Sequence, residues 1–244
     1  MSDNQFVRWK KLSVEAAAIV ASILLAFSID AWWHERTSDA ELRLELVSVM
    51  GELEENRRRV ELEIALLDRI TSAGTTLLEA LDAEADAATV SVPDSLAWLT
   101  TVWSPTLDAS FGAVDALVSS GRLAQVDDLA LRTGLAGIKA QFQDALEEEL
   151  SARVVQYNLF FPLAIDKADL RAIYQYDDEY FSKIRYSISN LDLPTNVNVD
   201  YPNSLAIRNS IRDRMGWLRT GLEEMNSLLI ELDDLIAMLQ GPKN

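Results

Sequence analysis

The chain has 244 residues, of which 49% are hydrophobic and 25% charged, a balance that excludes wholesale disorder and leaves room for one helical domain, or two small ones, beside a membrane segment. The formal net charge is −17, and within the first 33 residues Arg8, Lys10 and Lys11 cancel Asp3, Glu15 and Asp30. The whole deficit therefore lies in residues 34–244, which argues against nucleic acid or an anionic lipid surface as the partner of that part. Cysteine is absent, which removes disulfides, thiol catalysis, iron–sulfur clusters and zinc–thiolate sites together.

A short N-terminus, residues 1–11, precedes an apolar span from Leu12 to Trp33. At about 1.5 Å per residue that span rises about 33 Å, enough for a hydrocarbon core of about 30 Å. Trp9 on one side and Trp32 and Trp33 on the other are interface anchors, since amphipathic rings favour the headgroup zone. Arg8, Lys10 and Lys11 precede the span, whereas Arg36 and Arg43 follow it among acids. This bias predicts a cytoplasmic N-terminus and an exported C-terminal domain, and the location expected is a bacterial inner membrane with that domain in the periplasm. A signal peptide cleaved after Ala26 and Ser28 is the competing reading; Glu15 within the apolar run, and helix-forming sequence beyond Trp33, oppose it.

Glu15, Ala18, Ser22, Ala26 and Asp30 recur every three or four residues and share one face of this helix. Small residues permit close helix approach, and acids at membrane depth prefer protein or water to lipid. The stripe suits a membrane helix contact, or a ring around a polar pathway with Glu15 and Asp30 at its mouths. An alanine-rich anchor with Glu15 paired to Lys11 one turn earlier explains the same residues.

From Leu42 the spacing becomes heptad-like: Leu42, Leu46, Val49, Leu53, Asn56, Val60, Glu63, Leu67, Ile70, Gly74, Leu77 and Leu81 alternate by four and three. Asn56 and Glu63 interrupt the seam; a polar residue there either fixes register or marks where a bundle meets water. Ala83 to Ser91 reads as a loop. Two shorter segments follow, Pro93 to Trp103 and Pro105 to Ser120. A helical run from Asp127 to about Tyr157 then carries Leu131, Leu135, Ile138, Phe142 and Leu146 on one face. Its run Glu147 to Glu149 reads as a solvated face rather than a cation site, because consecutive helix positions point in different directions.

Gly121 in Ser119-Ser120-Gly121 predicts a left-handed helix stop, Leu123 folding back on the preceding turn, and Asp127 or Asp128 capping the next helix. Residues 157–201 concentrate aromatics around Asp177-Asp178-Glu179, with Leu191 to Pro202 irregular. Tyr174, Tyr176, Tyr180 and Phe181 are a candidate partner surface; a cap closing the bundle is the alternative. The last helix should start at Tyr201-Pro202-Asn203 and stop at Gly241-Pro242. Between them Ile211, Met215, Leu218, Leu222, Met225, Leu229, Leu232, Ile236 and Leu239 hold an unbroken four–three seam.

The stretch Ser110-Phe111-Gly112-Ala113-Val114-Asp115-Ala116-Leu117-Val118-Ser119-Ser120-Gly121-Arg122-Leu123 reads together with Glu15, Ser22 to Ala26, Trp32, Glu35 and Arg36. It resembles an uncharacterised bacterial family of short single-span membrane proteins, in which an acidic-start membrane helix with a Trp-plus-charge exit leads into a long helix. The resemblance covers about half the chain, from the anchor to roughly Leu131. The chain departs from that pattern in Ser22, where glycine is common, and in its second exit tryptophan. The family carries no established activity, so the resemblance implies topology alone.

His34 is the only histidine, and the nine glycines form neither GxGxxG nor GxxxxGK[ST]. The expectation is an all-α protein: one transmembrane helix, then residues 34–244 as a water-exposed bundle with coiled-coil-like seams. No cofactor, metal or catalytic group is expected, and the partners are membrane lipid and protein, by self-association or with a second chain. The function expected is a non-enzymatic scaffold, accessory or sensor-like role through helical contacts. A homo-oligomer whose membrane helices line an ion pathway is the alternative.

Overall fold

The computed structural model describes residues 3–167 and 197–241. One helix, α1, runs from Asp3 to Ala83 without interruption. Its 81 residues extend about 120 Å. No glycine or proline occurs before Gly51, so nothing in the sequence breaks the helix at the exit tryptophans. The apolar N-terminal stretch and the first bundle helix are therefore one rod. Its N-terminal part is the one stretch among the described residues long and apolar enough to cross a membrane, and none of it is buried within the chain.

The other elements are β1 (Thr89–Pro93), α2 (Asp94–Thr101), α3 (Gly112–Ser119), a 3₁₀ turn at Arg122–Gln125, α4 (Leu129–Val155), a π-type turn at Gln156–Phe160, α5 (Phe161–Lys167), β2 (Asn198–Pro202) and α6 (Leu205–Gln240). The described residues are overwhelmingly helical, with one two-stranded ribbon. Helix α6 lies between α1 and α4 and is antiparallel to both. Ion pairs Asp82–Arg212 and Arg57–Asp233 fix its direction against α1, and Gly134 lies beneath Leu235 while Gly221 lies beneath Glu148.

Both seams face the core. Val49, Leu53, Val60, Leu67, Ile70, Leu77 and Leu81 of α1 are buried, as are Ile211, Met215, Leu218, Met225, Leu232 and Ile236 of α6. In α6 a second buried row, Arg214, Gly221, Leu228 and Leu235, widens the seam into the broader stripe of a helix that touches two neighbours. Leu131, Leu135, Ile138 and Phe142 close the core from α4.

Several turns follow the local chemistry. Gly121 is left-handed, at φ +75°, and Ser120 and Gly121 N–H donate to Ala116 and Val118 carbonyls. Asp128 is the cap of α4, accepting from Ala130 N and Leu131 N. Gly241, at φ +71°, ends α6.

Four expectations are corrected. Residues 89–93 of the Ala83–Ser91 region and beyond form β1, paired antiparallel with β2 in the register Thr89↔Pro202, Ser91↔Asp200, Pro93↔Asn198. Alternating Val90 and Val92 bury one face of that strand, and the partner that completes it lies more than a hundred residues away. Helix α6 begins one turn later than Tyr201-Pro202-Asn203, with Ser204 as its cap; Tyr201 and Pro202 belong to β2, and Asn203 Nδ2 donates to Leu81 O in the last turn of α1 and to Glu84 O just beyond it. Asn56 and Glu63 are buried rather than wet. Glu149, the end of the expected solvated run, is buried too, because its position faces α1 while Glu147 stays exposed.

Candidate functional site

Three arrangements carry polar chemistry. The first is the exposed N-terminal half of α1. Glu15, Ala18, Ser22, Ala26 and Asp30 fall on one face and are all exposed, and Ser22 Oγ donates to Ala18 O at 2.8 Å. That internal bond satisfies the hydroxyl without any partner helix. Asp30 lies 3.6 Å from His34 Nε2, one turn on. Trp32 and Trp33 are exposed, with ring centroids 6.3 Å apart, and the Arg36 guanidinium sits 5.5 Å from the Trp32 ring centre. Trp9 belongs to the same helix, but its side chain is outside the described set. Tyr174, Tyr176, Tyr180 and Phe181 lie outside the described residues altogether.

The second is the junction that ties this rod to the domain. Ser38, Glu41, Glu45, Glu52, Asn56 and Arg59 recur at three-, four- and seven-residue spacing, hence on one stripe of α1. This stripe receives residues 108–125. Ser38 Oγ donates to Gln125 Oε1 at 3.2 Å, and Arg122 bridges Glu41 at 2.7 Å and Glu45 at 2.5 Å. Glu52 accepts from Ala113 N and Val114 N at 3.0 Å each, so its carboxylate sits on the positive end of α3. Asn56 pairs with the Ser110 peptide in both directions: Nδ2 donates to Ser110 O at 2.6 Å and Oδ1 accepts from Ser110 N at 2.9 Å. Arg59 donates to Asp108 O. Asn56, itself buried, thus occupies a seam position because its amide satisfies both polar groups of the part-buried Ser110 peptide. The Ser110–Leu123 stretch singled out in the sequence is docked along this stripe.

The third is a polar interior. Arg214 is fully buried and donates to Thr100 O and Trp103 O at the C-terminal end of α2, while Gln156 Nε2 donates to Thr101 O and Val102 O at 2.9 Å each. A guanidinium and an amide therefore satisfy the carbonyls that every helix end leaves open. Burial pushes the Arg214 pKa down to about 10. Thr101 Oγ1 and the Tyr201 hydroxyl, 2.8 Å apart, join β2 to the same helix end, and Trp98 and Trp103 stack edge-on at 4.8 Å.

Between α1 and α4 the carboxyls of Glu63 and Glu149 are buried side by side. Glu63 Oε1 and both Glu149 oxygens have no hydrogen-bond partner among the described residues. Burial raises Glu149 to about 7 and Glu63 well above the carboxylate range; proximity to Glu149 raises Glu63 further, and Arg153 opposes both shifts. Glu63 lines a recess of about 380 Å³ with Glu55, Arg59, Leu107 and Asp108. Burial and mutual repulsion both favour the protonated form of this pair. Among the described residues no three Asp, Glu or His side chains converge as a metal set.

The junction and the interior contacts had no local signal in the sequence, since Arg122 meets acids nearly eighty residues upstream and Arg214 meets carbonyls more than a hundred residues upstream. Glu63 and Asn56 were visible as breaks in the seam.

These features define a class: a small helical bundle built directly onto one uninterrupted helix whose N-terminal part is long and apolar enough to cross a membrane. No known protein family, curated protein or solved structure matches the chain.

Proposed function

We propose that the protein is a single-pass, non-enzymatic membrane component whose bundle makes helical protein contacts as a scaffold, accessory or sensor-like subunit. The observation that carries this reading is the unbroken α1: its apolar stretch has no partner among the described residues, and the same helix supplies the longest buried seam of the bundle. A rod of this kind couples the position of the bundle to the membrane without a flexible linker. The charge bias favours the bundle on the periplasmic face of a bacterial inner membrane.

The test is alkaline carbonate extraction of native membranes, followed by protease digestion of intact and of opened spheroplasts. Retention in the membrane, with the bundle already cleaved in intact spheroplasts, where protease reaches the periplasmic face alone, is the expected result. Extraction into the supernatant removes the reading. Glu15, Ser22 and Asp30 on one face favour a second reading, in which several copies line a polar pathway. Replacing both acids with uncharged residues should then abolish conductance with assembly intact; unchanged conductance removes the pathway.

A further inference from the structure

Helix α1 carries two seams between residues 33 and 53. One, Leu42, Leu46, Val49 and Leu53, packs into the protein's own bundle. The other runs along the opposite side: Trp33, Thr37, Ala40, Leu44, Val47 and Gly51 alternate by four and three residues and are all exposed. Leu44 and Val47 are 70% and 60% exposed, more than most other apolar side chains of the bundle, so none of the described residues covers this face. Lipid does not cover it either. At about 1.5 Å per residue, Leu44 stands about 16 Å and Gly51 about 27 Å beyond Trp33, well above the hydrocarbon. The next positions in the same register are Glu54, Arg58 and Glu61, so the apolar stripe ends where charge begins.

We propose that two copies of this chain pair in parallel along this second seam of α1, from Trp33 to Gly51. The inference rests on the membrane-anchored reading, because two identical anchors hold the copies parallel and at equal height, where the seam meets itself in register. Charge complementarity names the same occupant. With the seam residues as core positions, Arg36 and Glu41 flank it on opposite sides five residues apart, the spacing at which flanking charges of two parallel helices meet. Arg36 of each copy therefore reaches Glu41 of the other, while Glu41 keeps its contact to Arg122 through Oε2. Ala40 and Gly51 keep the backbones close, and a Cβ built on Gly51 meets nothing within 4 Å in the single chain. The two bundles then lie on outer, opposite sides of the helix pair, each with its own seam already filled.

The chain lacks cysteine, so single cysteines report on pairing without background. Full-length Ala40→Cys, Leu44→Cys and Val47→Cys, oxidised in native membranes, should give disulfide-linked dimers several-fold more than the flanking Arg43→Cys and Ser48→Cys. The double variant Leu44→Glu/Val47→Glu changes only exposed positions and should keep its melting transition. Its dimer fraction in native mass spectrometry should fall at least tenfold. A flat cysteine profile, an adduct of any mass other than twice the chain, or an undiminished dimer in the double variant overturns the pairing. Carbonate extraction reads the anchored state alone and the cysteine profile reads pairing alone, so the failure of one is distinguishable from the failure of the other.

Discussion

Replacing Glu149 by glutamine should remove most of a pH dependence that the buried carboxyl pair builds into the bundle. In the unfolded chain Glu149 loses its proton near 4.5, whereas burial holds the folded carboxyl to about 7. Between those values the folded state binds the extra proton, so raising the pH favours unfolding. The contribution is complete below pH 4.5 and lost once the pH has passed 7. One pH unit of displacement is worth about 1.4 kcal/mol, so the loss across this window is about 3 kcal/mol. Glu63, raised by burial and by Glu149, adds to it in the same direction. Glu55, held at about 2 by Arg58 and Arg59, titrates below the window, so it leaves the slope untouched. Urea titrations of the full-length protein in mild detergent, followed by the fluorescence of buried Trp98 and Trp103, measure the effect at pH 5 and pH 8. Glu149→Gln should match the parent near pH 5 and exceed it by about 3 kcal/mol at pH 8, with Glu63→Gln/Glu149→Gln flatter still. Parallel curves, offset equally at both pH values, would refute the raised proton affinity of this pair.

Other substitutions test the remaining contacts. Arg214→Leu leaves the Thr100 and Trp103 carbonyls buried without donors and should cost about 3 kcal/mol in the same titration, less whatever is recovered from no longer burying a cation; a loss below about 1 kcal/mol would show that α2 does not need this cap. Asn56→Leu removes both bonds to the Ser110 peptide and should cost about 2 kcal/mol, with the edge-on contact of Phe111 and Phe142 loosened in near-ultraviolet dichroism. Gly74→Ala places a Cβ 2.2 Å from Met215 Sδ and should lower stability by about 1 to 2 kcal/mol as that buried side chain shifts. Gly137→Ala meets open space within a helix and should raise stability by about 0.5 to 1 kcal/mol; the two glycines changing stability with the same sign would contradict the packing described.

Seam positions were readable in advance because they depend only on the helical period. Val49, Leu53, Leu67 and Leu77 could be assigned inward from spacing alone, as could Met215, Met225 and Leu232, and all are buried. Gly121 and Asp128 were readable for a related reason: a left-handed stop and a side-chain cap are settled within four residues. The chemistry of the interior was not. Glu149 looks like its neighbours Glu147 and Glu148 in sequence, and only the docking of α4 decides that it is the one facing Glu63. The ribbon was hidden because β1 is completed by a strand more than a hundred residues later.

By itself, then, the sequence determined the local terms: an apolar stretch long enough to cross a bilayer, two amphipathic helices with four–three seams, and the glycine stops at Gly121 and Gly241. These follow from backbone geometry and side-chain polarity within a few turns of helix. Tertiary structure alone decided which polar groups meet. It set Arg122 on Glu41 and Glu45, Asn56 on the Ser110 peptide, Arg214 on the end of α2, and two carboxyls against each other in the core. A hydrophobic seam accepts many apolar partners, but a buried polar group is satisfied only by a particular donor or acceptor at hydrogen-bond distance. That distance is fixed by how segments far apart in the chain come to rest on one another.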